Sequence, residues 1–425
     1  MPISTLTATS HIMKIAYCVS HFPYQSETYL LNQLKELIDD GHDVTIFSWG
    51  RMDNYPRHAL LEEYNLLSKT IERPFIPRNT FKRVSKAIGL FLQHFPKSLP
   101  LLLTLNIFKY GKYAANLQFF YDAVPFVQER DFDIVHCQFG PNGIKALNFR
   151  EISLLKGALI TSLHGFDVND KEFLSWPSHY SRKGLYRDLN KVCQIFTVSS
   201  RFTKNTAINL NISPNKIKVL PVGLDTKKFK RKKPTHTEPR GLVLLTVARL
   251  VAFKGLNYSI EAVGQLVQEF PELTYHILGE GIQRNELEEQ IKTSRLENNI
   301  FLHGAVTQEQ ALEHYNQADI FILPGIVASD GEVETQGLVV QEAQSMSLPV
   351  VITDAGGLPE GIIDGTTGFV VPQRDVKSLK DKIRLLLNDA GLREQMGKAG
   401  RVFVLRNYDN KIMHQKLMEL YSKLL

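Results

Sequence analysis

Residues 334–372 read ETQGLVVQEAQSMSLPVVITDAGGLPEGIIDGTTGFVVP, and the interpretation of the whole chain starts from this stretch. It contains a helical run, GLVVQEAQSM, which begins at Gly337, and two β-rich runs, PVVITD and GFVVP. Another β-rich run, DIFILP, precedes it, so strands and helices alternate as they do in a parallel sheet covered by helices. The stretch therefore predicts an α/β fold, with functional residues just beyond the carboxyl ends of the strands.

The same alternation extends outward from this stretch in two series. The first series runs from KIAYCVS to KIKVLPVG, and the second from GLVLLTVA to GFVVP. A chain of 425 residues is too long for one compact core. We therefore expect two doubly wound units in tandem, joined by the basic, proline-containing residues 226–241. The final residues, NKIMHQKLMELYSKLL, have the apolar spacing of an amphipathic helix.

Composition points to an ordinary globular protein inside the cell. Apolar residues make up 43% and charged residues 22% of the chain. The three cysteines, Cys18, Cys137 and Cys193, are odd in number and widely spaced, which predicts neither a disulfide framework nor a zinc site. Residues 1–13 have neither the basic nor the apolar region of a signal peptide. A reducing, cytoplasmic location is expected.

Positive charge is concentrated in residues 73–118, which run from Arg73 to Gln118. This segment has eight lysines and arginines and no acidic residue, and subtracting them from the net charge of +6 leaves −2. The segment is also rich in Leu and Phe, but Pro100 interrupts it before it reaches the roughly 20 residues of a spanning helix. We expect either an interfacial segment attracted to anionic lipid or helices that pack on their own domain with solvated lysines.

Glu334 and Glu342 lie eight positions apart, on either side of the glycine that opens the helix. Gly337 lets a ligand approach the backbone closely, and free amides at a helix start bind anions. Glu342 is expected about five residues into the helix, roughly 8 Å along its axis. The two carboxylates would suit hydroxyls on either side of a diphosphate held by the amides. Taken alone, a glutamate pair at this spacing is more often a residue matched to the helix dipole together with a surface glutamate.

Two cations follow the first strand of the second series. In TVARLVAFKGL, Arg249 comes directly after the strand and Lys254 five residues later. A guanidinium and an ammonium beside a diphosphate would neutralise the charge that develops as a nucleotide leaves. Surface solvation is the alternative. No Asp-x-Asp metal motif stands near a strand end here, so we expect these side chains to replace a metal ion.

Two further candidates stand at strand ends. His164 follows ITSL and could hydrogen-bond a transferred sugar, or it could be a buried structural histidine. Gly279 follows LTYHIL and begins a Gly-Glu-Gly stretch, which by itself indicates little beyond a tight turn. The longer GxGxxG pattern is absent there, which argues against a nicotinamide-dependent dehydrogenase.

Together these stretches resemble the retaining glycosyltransferases of the GT-B fold, specifically the large family with a Glu, seven residues, Glu motif. The resemblance runs from about Lys14 to the C-terminus and is most specific in residues 334–372. Residues 14–48 are similar to the bacterial exopolysaccharide subgroup, including colanic-acid-type transferases. The resemblance implies two Rossmann-like domains, residues 1–225 and 226–407, facing across a cleft. A C-terminal helix at about residues 408–425 would pack back on the first domain.

The resemblance implies roles for the carboxylates and for the residues around the sugar. Glu334 would contact the donor sugar and stabilise an oxocarbenium-like transition state, and Glu342 would hold the ribose diol. His164 would lie across the cleft, near the transferred sugar. Gly279 is a candidate substrate-binding position on the neighbouring loop.

The diphosphate would be held by cations and by a helix start. The resemblance implies that Arg249 and Lys254 bind it together with the backbone amides of Gly337, Leu338 and Val339. Family members need neither a metal ion nor a cofactor. Retention is ascribed to front-face attack, with the leaving phosphate taking the proton of the acceptor.

The expected function is therefore that of a retaining, metal-independent hexosyltransferase. It would move a hexose from a nucleotide-diphosphate sugar to a saccharide or lipid-linked saccharide in surface polysaccharide biosynthesis. No nucleic-acid partner is expected, and residues 73–118 would contact an anionic membrane at its inner face. The alternatives are a GT-B sugar-nucleotide epimerase and a non-catalytic module that binds saccharide or lipid.

Two places depart from the family pattern. The sequence HFPYQSET stands where many members have a glycine-rich loop, so roles in acceptor binding are not carried over. Within it, Ser26 is expected to cap the next helix and Glu27 to suit its first turn. Gln336 replaces a phenylalanine that is common before the motif glycine, and Glu332 adds a third carboxylate nearby.

Overall fold

The computed structural model describes residues 12–23, 28–51, 59–170, 174, 186–232 and 241–425. Ser26, Glu27, residues 1–11 and residues 233–240 of the expected linker lie outside this range, so the predictions made for them do too. Within it, the chain forms two parallel sheets with helices between successive strands.

The first unit contains a sheet of seven strands. They are β1 (Lys14–Val19), β2 (Asp43–Ser48), β3 (Thr70–Glu72), β4 (Asp131–Gln138), β5 (Lys156–Leu163), β6 (Ile195–Val198) and β7 (Ile217–Val219). Its helices are α1 (Thr28–Asp39), α2 (Ala59–Glu63), α3 (Thr80–Gln93), α4 (Ile107–Tyr110), α5 (Lys112–Ala115), α6 (Gln118–Ala123), α7 (Gly140–Glu151), α8 (Phe166–Asn169), α9 (Leu189–Val192) and α10 (Arg201–Asn209). Short 3-10 turns cover Leu99–Leu105, Val124–Phe126 and Pro214–Lys216.

The second unit contains a sheet of six strands. They are β8 (Val243–Val247), β9 (Thr274–Leu278), β10 (Ile300–Leu302), β11 (Ile320–Leu323), β12 (Val350–Thr353) and β13 (Gly368–Val371). Its helices are α11 (Leu256–Leu266), α12 (Arg284–Thr293), α13 (Gln308–Gln317), α14 (Leu338–Ser345), α15 (Val376–Asn388) and α16 (Ala390–Asn407), followed by α17 (Asn410–Ser422). Short 3-10 turns cover Ala252–Lys254 and Leu358–Gly361.

The two sheets have the same arrangement. The strand order is β3-β2-β1-β4-β5-β6-β7 in the first and β10-β9-β8-β11-β12-β13 in the second, with parallel pairing throughout. In each sheet the order reverses once, between β1 and β4 and between β8 and β11. Ligands of open α/β sheets bind at such reversal points, beyond the carboxyl ends of the strands. The predicted α/β class with two doubly wound, Rossmann-like units is confirmed.

The two units are joined by crossing segments. The amide of Leu224, after the first sheet, donates to the carbonyl of Tyr408 at 2.8 Å, and the amide of Asn410 donates to the carbonyl of Leu224 at 2.9 Å. Helix α17 then packs on the first unit, where Tyr421 OH lies 2.7 Å from Nδ1 of His136. Tyr421 is buried in the same apolar cluster as Ile15 of β1.

Residues 73–118 pack one face against the core of the first unit, and their other face is apolar and exposed. Ala87, Leu101 and Tyr113 are buried in the core of the first unit. Twelve of the 24 exposed large apolar side chains recorded among the described residues lie in this segment, and we call them the apolar patch. They are Phe75, Phe81, Val84, Ile88, Leu92, Phe95, Leu99, Leu102, Leu103, Leu105, Ile107 and Phe108. Across the part of the chain that is described, no helix is both long and apolar enough to cross a membrane.

Candidate active site

The start of helix α14 lies at the reversal point of the second sheet. Gly337 precedes the helix with φ 75° and ψ 59°, a left-handed conformation that favours glycine. A Cβ at this position would lie 2.5 Å from Leu358 and 3.4 Å from Glu334. The first amides of a helix have no partner within the helix itself, so those of Leu338 and Val339 can serve an anion.

Lys254 and Glu334 form an ion pair across this reversal point. Lys254 ends the 3-10 turn after β8, and Glu334 lies in the loop between β11 and α14. The side chains are only 11% and 16% exposed. Opposite charges held this far from water are costly to leave unpaired. A diphosphate that arrives at Lys254 would compete with the carboxylate and could leave Glu334 available to another partner.

Arg249 adds a second cation beside the pair. The guanidinium carbon of Arg249 lies 5.6 Å and Nζ of Lys254 lies 5.1 Å from the ring centre of Phe253, so one aromatic ring lies close to both cations. Arg249 itself is exposed. Burial, together with the charge of Asp330, raises the pKa of Glu332, and Arg249 acts in the opposite direction. The predicted cations therefore meet two carboxylates, Glu332 and Glu334.

Glu342 occupies a different environment on helix α14. Its carboxylate accepts a 2.9 Å hydrogen bond from the hydroxyl of Tyr315 on α13. Burial raises the pKa of Glu342 to about 7, and the bond from Tyr315 acts in the opposite direction. Glu342 is half-buried, so it is not a fully solvated surface residue. Once ionised, its carboxylate can accept hydrogen bonds from two vicinal hydroxyls.

His164 follows β5 on the first unit and is fixed by Gln138 at the end of β4. Nε2 of His164 lies 2.6 Å from Oε1 of Gln138, and the amide nitrogen of Gln138 lies 2.5 Å from the hydroxyl of Tyr17. Because a carbonyl oxygen can only accept, Nε2 carries the proton and Nδ1 is the acceptor nitrogen. Burial lowers the pKa of His164 to about 4, so the ring is neutral at physiological pH.

The loop before α14 contacts the first unit directly. The hydroxyl of Thr335 donates a 2.7 Å hydrogen bond to the backbone carbonyl of His164. The side-chain amide of Gln336 accepts from the backbone nitrogen of Val222 at 2.8 Å and donates to its carbonyl at 2.9 Å. A phenylalanine could make neither bond, so this departure from the family pattern gives the connecting segment a polar anchor.

A second contact across the units involves a helix start. The carboxylate of Glu360 accepts hydrogen bonds from the backbone amides of Arg201 and Phe202, each at 2.8 Å. These amides open helix α10 of the first unit, where a negative charge is favourable. The contact holds residues after β12 against the carboxyl edge of the first sheet.

Two adjoining cavities lie between the units, and both are lined by Tyr29 and Gly223. The first has about 590 Å³ of empty space and reaches His164. The second has about 780 Å³ and reaches Leu338 and Glu342. The two carboxylates of the motif therefore face different surroundings, because Glu342 lines a cavity and Glu334 is paired with Lys254.

Gly279 has a packing role beside the cations. Its φ is 143°, its amide donates to the carbonyl of Gly304 at 2.8 Å, and a Cβ would lie 1.8 Å from the carbonyl oxygen of Ala248. Only glycine fits so close to the strand end that carries Arg249. Its predicted role in substrate binding stays a prediction.

The sequence missed two residues of the site. Gln138 sets the tautomer of His164, and Tyr315 donates to Glu342. The only available signal for Gln138 was a polar residue at the end of the buried run FDIVHCQ. Nothing in the sequence around Tyr315 pointed to Glu342, because the two residues lie on different helices, 27 positions apart.

Two family models divide the chain between them. The model described as "Glycosyltransferase Family 4" matches residues 26–228, and the model described as "Glycosyl transferases group 1" matches residues 226–403. Their boundary falls in the segment that joins the two sheets.

Relatives match the chain along nearly its full length. The amylovoran biosynthesis glycosyltransferase AmsK of Erwinia amylovora is 30% identical over 97% of this chain and 100% of its own length. The putative colanic acid biosynthesis glycosyltransferase WcaL of Salmonella typhimurium is 29% identical over 96% of this chain and 99% of its own. The crystal structure of Anabaena HepE in complex with UDP-glucose has a TM-score of 0.66 at 17% identity, covering 97% of this chain and 100% of that one. This chain therefore belongs to glycosyltransferase family 4, and it is a glycosyltransferase of the GT-B fold.

Proposed function

We propose that the protein is a retaining hexosyltransferase that needs no metal ion or other cofactor. Its donor would be a nucleotide-diphosphate sugar, and its acceptor a saccharide or lipid-linked saccharide in surface polysaccharide biosynthesis. The observation that carries the proposal is the ion pair of Lys254 and Glu334 beside the start of helix α14. The names of the amylovoran and colanic acid relatives support the process, and the UDP-glucose complex of HepE supports the class of donor.

The diphosphate would lie on positive groups of the second unit. Arg249 and Lys254 would face it from the loop after β8, and the amides of Gly337, Leu338 and Val339 would face it from the helix start. Charge that develops on the leaving oxygen is stabilised best by groups fixed in advance. A metal ion would then be unnecessary, because two cations and a helix start supply the compensating charge.

Glu334 would act on the sugar once Lys254 turns to the diphosphate. A carboxylate near the anomeric carbon stabilises the positive charge of an oxocarbenium-like transition state. Glu342 would hold the ribose diol, and His164 would accept a hydrogen bond from a sugar hydroxyl through Nδ1. The acceptor would attack the face from which the diphosphate leaves, and the leaving phosphate would take its proton.

A binding and product assay tests this proposal. Melting temperatures would be measured with UDP, GDP, ADP and TDP sugars, because a ligand that prefers the folded state raises the melting point. We expect one nucleotide class to raise it and to support transfer in excess EDTA, with the anomeric configuration retained in the product. Isomerised sugar nucleotide from donor alone would instead identify an epimerase. No response to any donor would contradict the proposal.

We also propose that the apolar patch rests on the anionic, cytoplasmic face of a membrane. On helix α3, Phe81, Val84, Ile88 and Leu92 follow helical spacing and are 43–82% exposed. Arg73 pairs with the buried Asp122 and Lys109 pairs with Glu151. The other basic residues of residues 73–118 would supply attraction to acidic headgroups, at about 1 kcal/mol for each residue near the surface. Single exposed apolar side chains are normal, whereas the concentration of twelve of them in one segment is typical of an interaction surface.

Sedimentation with liposomes tests the membrane contact. Wild-type protein should sediment with vesicles that contain phosphatidylglycerol and should do so less with neutral vesicles or in high salt. Phe81→Ser with Ile88→Ser should reduce binding at least about tenfold, since each change removes a large apolar side chain. Val402→Ser with Leu405→Ser, which changes two exposed apolar side chains on α16 outside the apolar patch (46% and 39% exposed), should bind as wild type does. Equal binding by both double variants would contradict the proposal.

A further inference from the structure

Three histidines meet at the outer edge of the second sheet. His276 lies on β9, His303 follows β10, and His314 lies on α13. One ligand nitrogen from each ring lies within 4.8 Å of the other two, and Nδ1 of His276 is 2.7 Å from Nε2 of His303. Strands β10 and β9 form the edge pair of the sheet, and none of the three residues lines either cavity. The cluster is therefore separate from the transfer site.

The surroundings keep these rings neutral. Burial, and then the neighbouring His303 and His314, lower the pKa of His276 to about 4. Burial also lowers the pKa of His303 and of His314. Neutral imidazole is the form that binds metal ions, because it offers a nitrogen lone pair. The 2.7 Å contact between His276 and His303 requires one proton between the two nitrogens, and a metal ion can replace that proton.

We propose that His276, His303 and His314 bind a divalent transition-metal ion of the zinc class. Imidazole nitrogens bind Zn²⁺ at about 2.0–2.1 Å, which separates two ligand nitrogens by about 3.3 Å in tetrahedral geometry. Nδ1 of His276 and Nε2 of His303 are 2.7 Å apart and all three ligand nitrogens lie within 4.8 Å of one another, so ring rotations would bring them to this separation. Imidazole ligands suit Zn²⁺, Ni²⁺ and Cu²⁺, whereas Mg²⁺ and Ca²⁺ prefer oxygen. Three protein ligands leave a fourth position for water.

The ion would join three elements that are separate in sequence. It would tie β9 and the end of β10 to helix α13, and metal binding to the native state alone stabilises that state. His314 directly precedes Tyr315, whose hydroxyl donates to Glu342. The ion would therefore also fix the helix that positions this hydrogen bond, without taking part in the transfer.

Titration of the metal-depleted, tag-free chain with Zn²⁺ tests the proposal. We expect one equivalent to bind and the melting temperature to rise by about 3 °C at one hundred times the Kd. Bound Co²⁺ should give the visible absorption of a low-coordinate site. His303→Ala and His314→Ala should each weaken binding at least about tenfold, since even the loss of a group that only orients a metal ligand costs about 10–100-fold.

The chain has 13 histidines, so a matched control is needed. His94→Ala, which changes a histidine on the first unit, should bind Zn²⁺ as wild type does. Calorimetry and absorption report on the ion itself, so the result does not depend on the identity of the sugar donor. Absence of a saturable equivalent in the wild type, or equal binding by His303→Ala and His94→Ala, would overturn the proposal.

Discussion

The two sides of the cleft carry polar groups of different kinds. On the second unit, Lys254, Glu334 and Arg249 bring full charges together beside a helix start. On the first unit, a neutral His164 is held by the uncharged amide of Gln138. Full charges suit an anionic carrier that gains charge as it leaves, and neutral hydrogen-bonding groups suit the hydroxyls of a sugar. The difference teaches that the second unit can offer charge compensation and the first unit neutral hydrogen bonds.

Among changes on the charged side of the cleft, Glu334→Gln should cause the largest loss of transfer activity. We expect transfer to fall by about 10²–10³-fold, the range seen when one preorganised electrostatic group is removed. Steady-state rates with saturating donor measure the effect. Glu332→Gln, which changes the neighbouring carboxylate, should stay within about threefold of wild type. An equal loss in the two variants would contradict a special role for Glu334.

Lys254→Met should damage both stability and activity, because it leaves Glu334 charged and unpaired. We expect unfolding to become easier by about 1–3 kcal/mol and transfer to fall by about 10²-fold. Combining Lys254→Met with Glu334→Gln should restore most of the stability and none of the activity. Denaturant unfolding and rate measurements on the three variants decide this. If activity returned with stability, the pair would have only a structural role.

Glu342→Gln should raise the stability of the protein and lower its affinity for the donor. The raised pKa means that the folded state holds a proton which the unfolded state releases, so Glu342 lowers stability as pH rises from about 4.5 to 7. The amide removes this loss, and we expect the variant to be more stable at pH 8 by about 1–3 kcal/mol. Donor affinity should fall, because a neutral amide replaces the carboxylate. Thermal melts at pH 5 and pH 8 measure the difference, and equal gains at both would contradict it.

His164→Asn should have the smallest effect on the pH profile. Since the pKa of His164 is about 4, its ring does not change charge between pH 5.5 and 8. We expect kcat/KM to rise with pH through about 7 as Glu342 ionises, and the inflection to persist in His164→Asn and vanish in Glu342→Gln. Loss of the inflection in His164→Asn would contradict this, because it would show that His164 itself changes charge in this pH range.

Most of the fold could be predicted from the sequence because buried parallel strands are continuous apolar runs. Strand β3 escaped prediction because it has only three residues, Thr70–Glu72, and none of them is buried. The boundaries of α14 followed from Gly337 and the periodic residues after it. The apolar sequence pattern therefore predicts strands that are covered on both faces, and it fails for strands at an exposed edge of the sheet.

The site was predictable where one short stretch builds it. Glu334 and the helix start come from a single loop, and Lys254 reaches them from the next strand of the sheet. The raised pKa of Glu342 was not predictable, because it depends on burial in the folded protein and on Tyr315 from another helix. When two interacting side chains come from separate helices or strands, their separation in the sequence forms no recognisable motif.

Helix α17 has a consequence for how the protein forms. Tyr421 and Leu417 complete an apolar core made by strands β1, β2 and β4, yet they are synthesised after the entire second sheet. Domains generally fold as units during synthesis, the N-terminal one first. Here the nascent first unit must wait on the ribosome with an open groove on its α1 side until residues 410–422 emerge. A chaperone that shields this groove would act late in translation, and truncation before residue 410 would damage the unit that was made first.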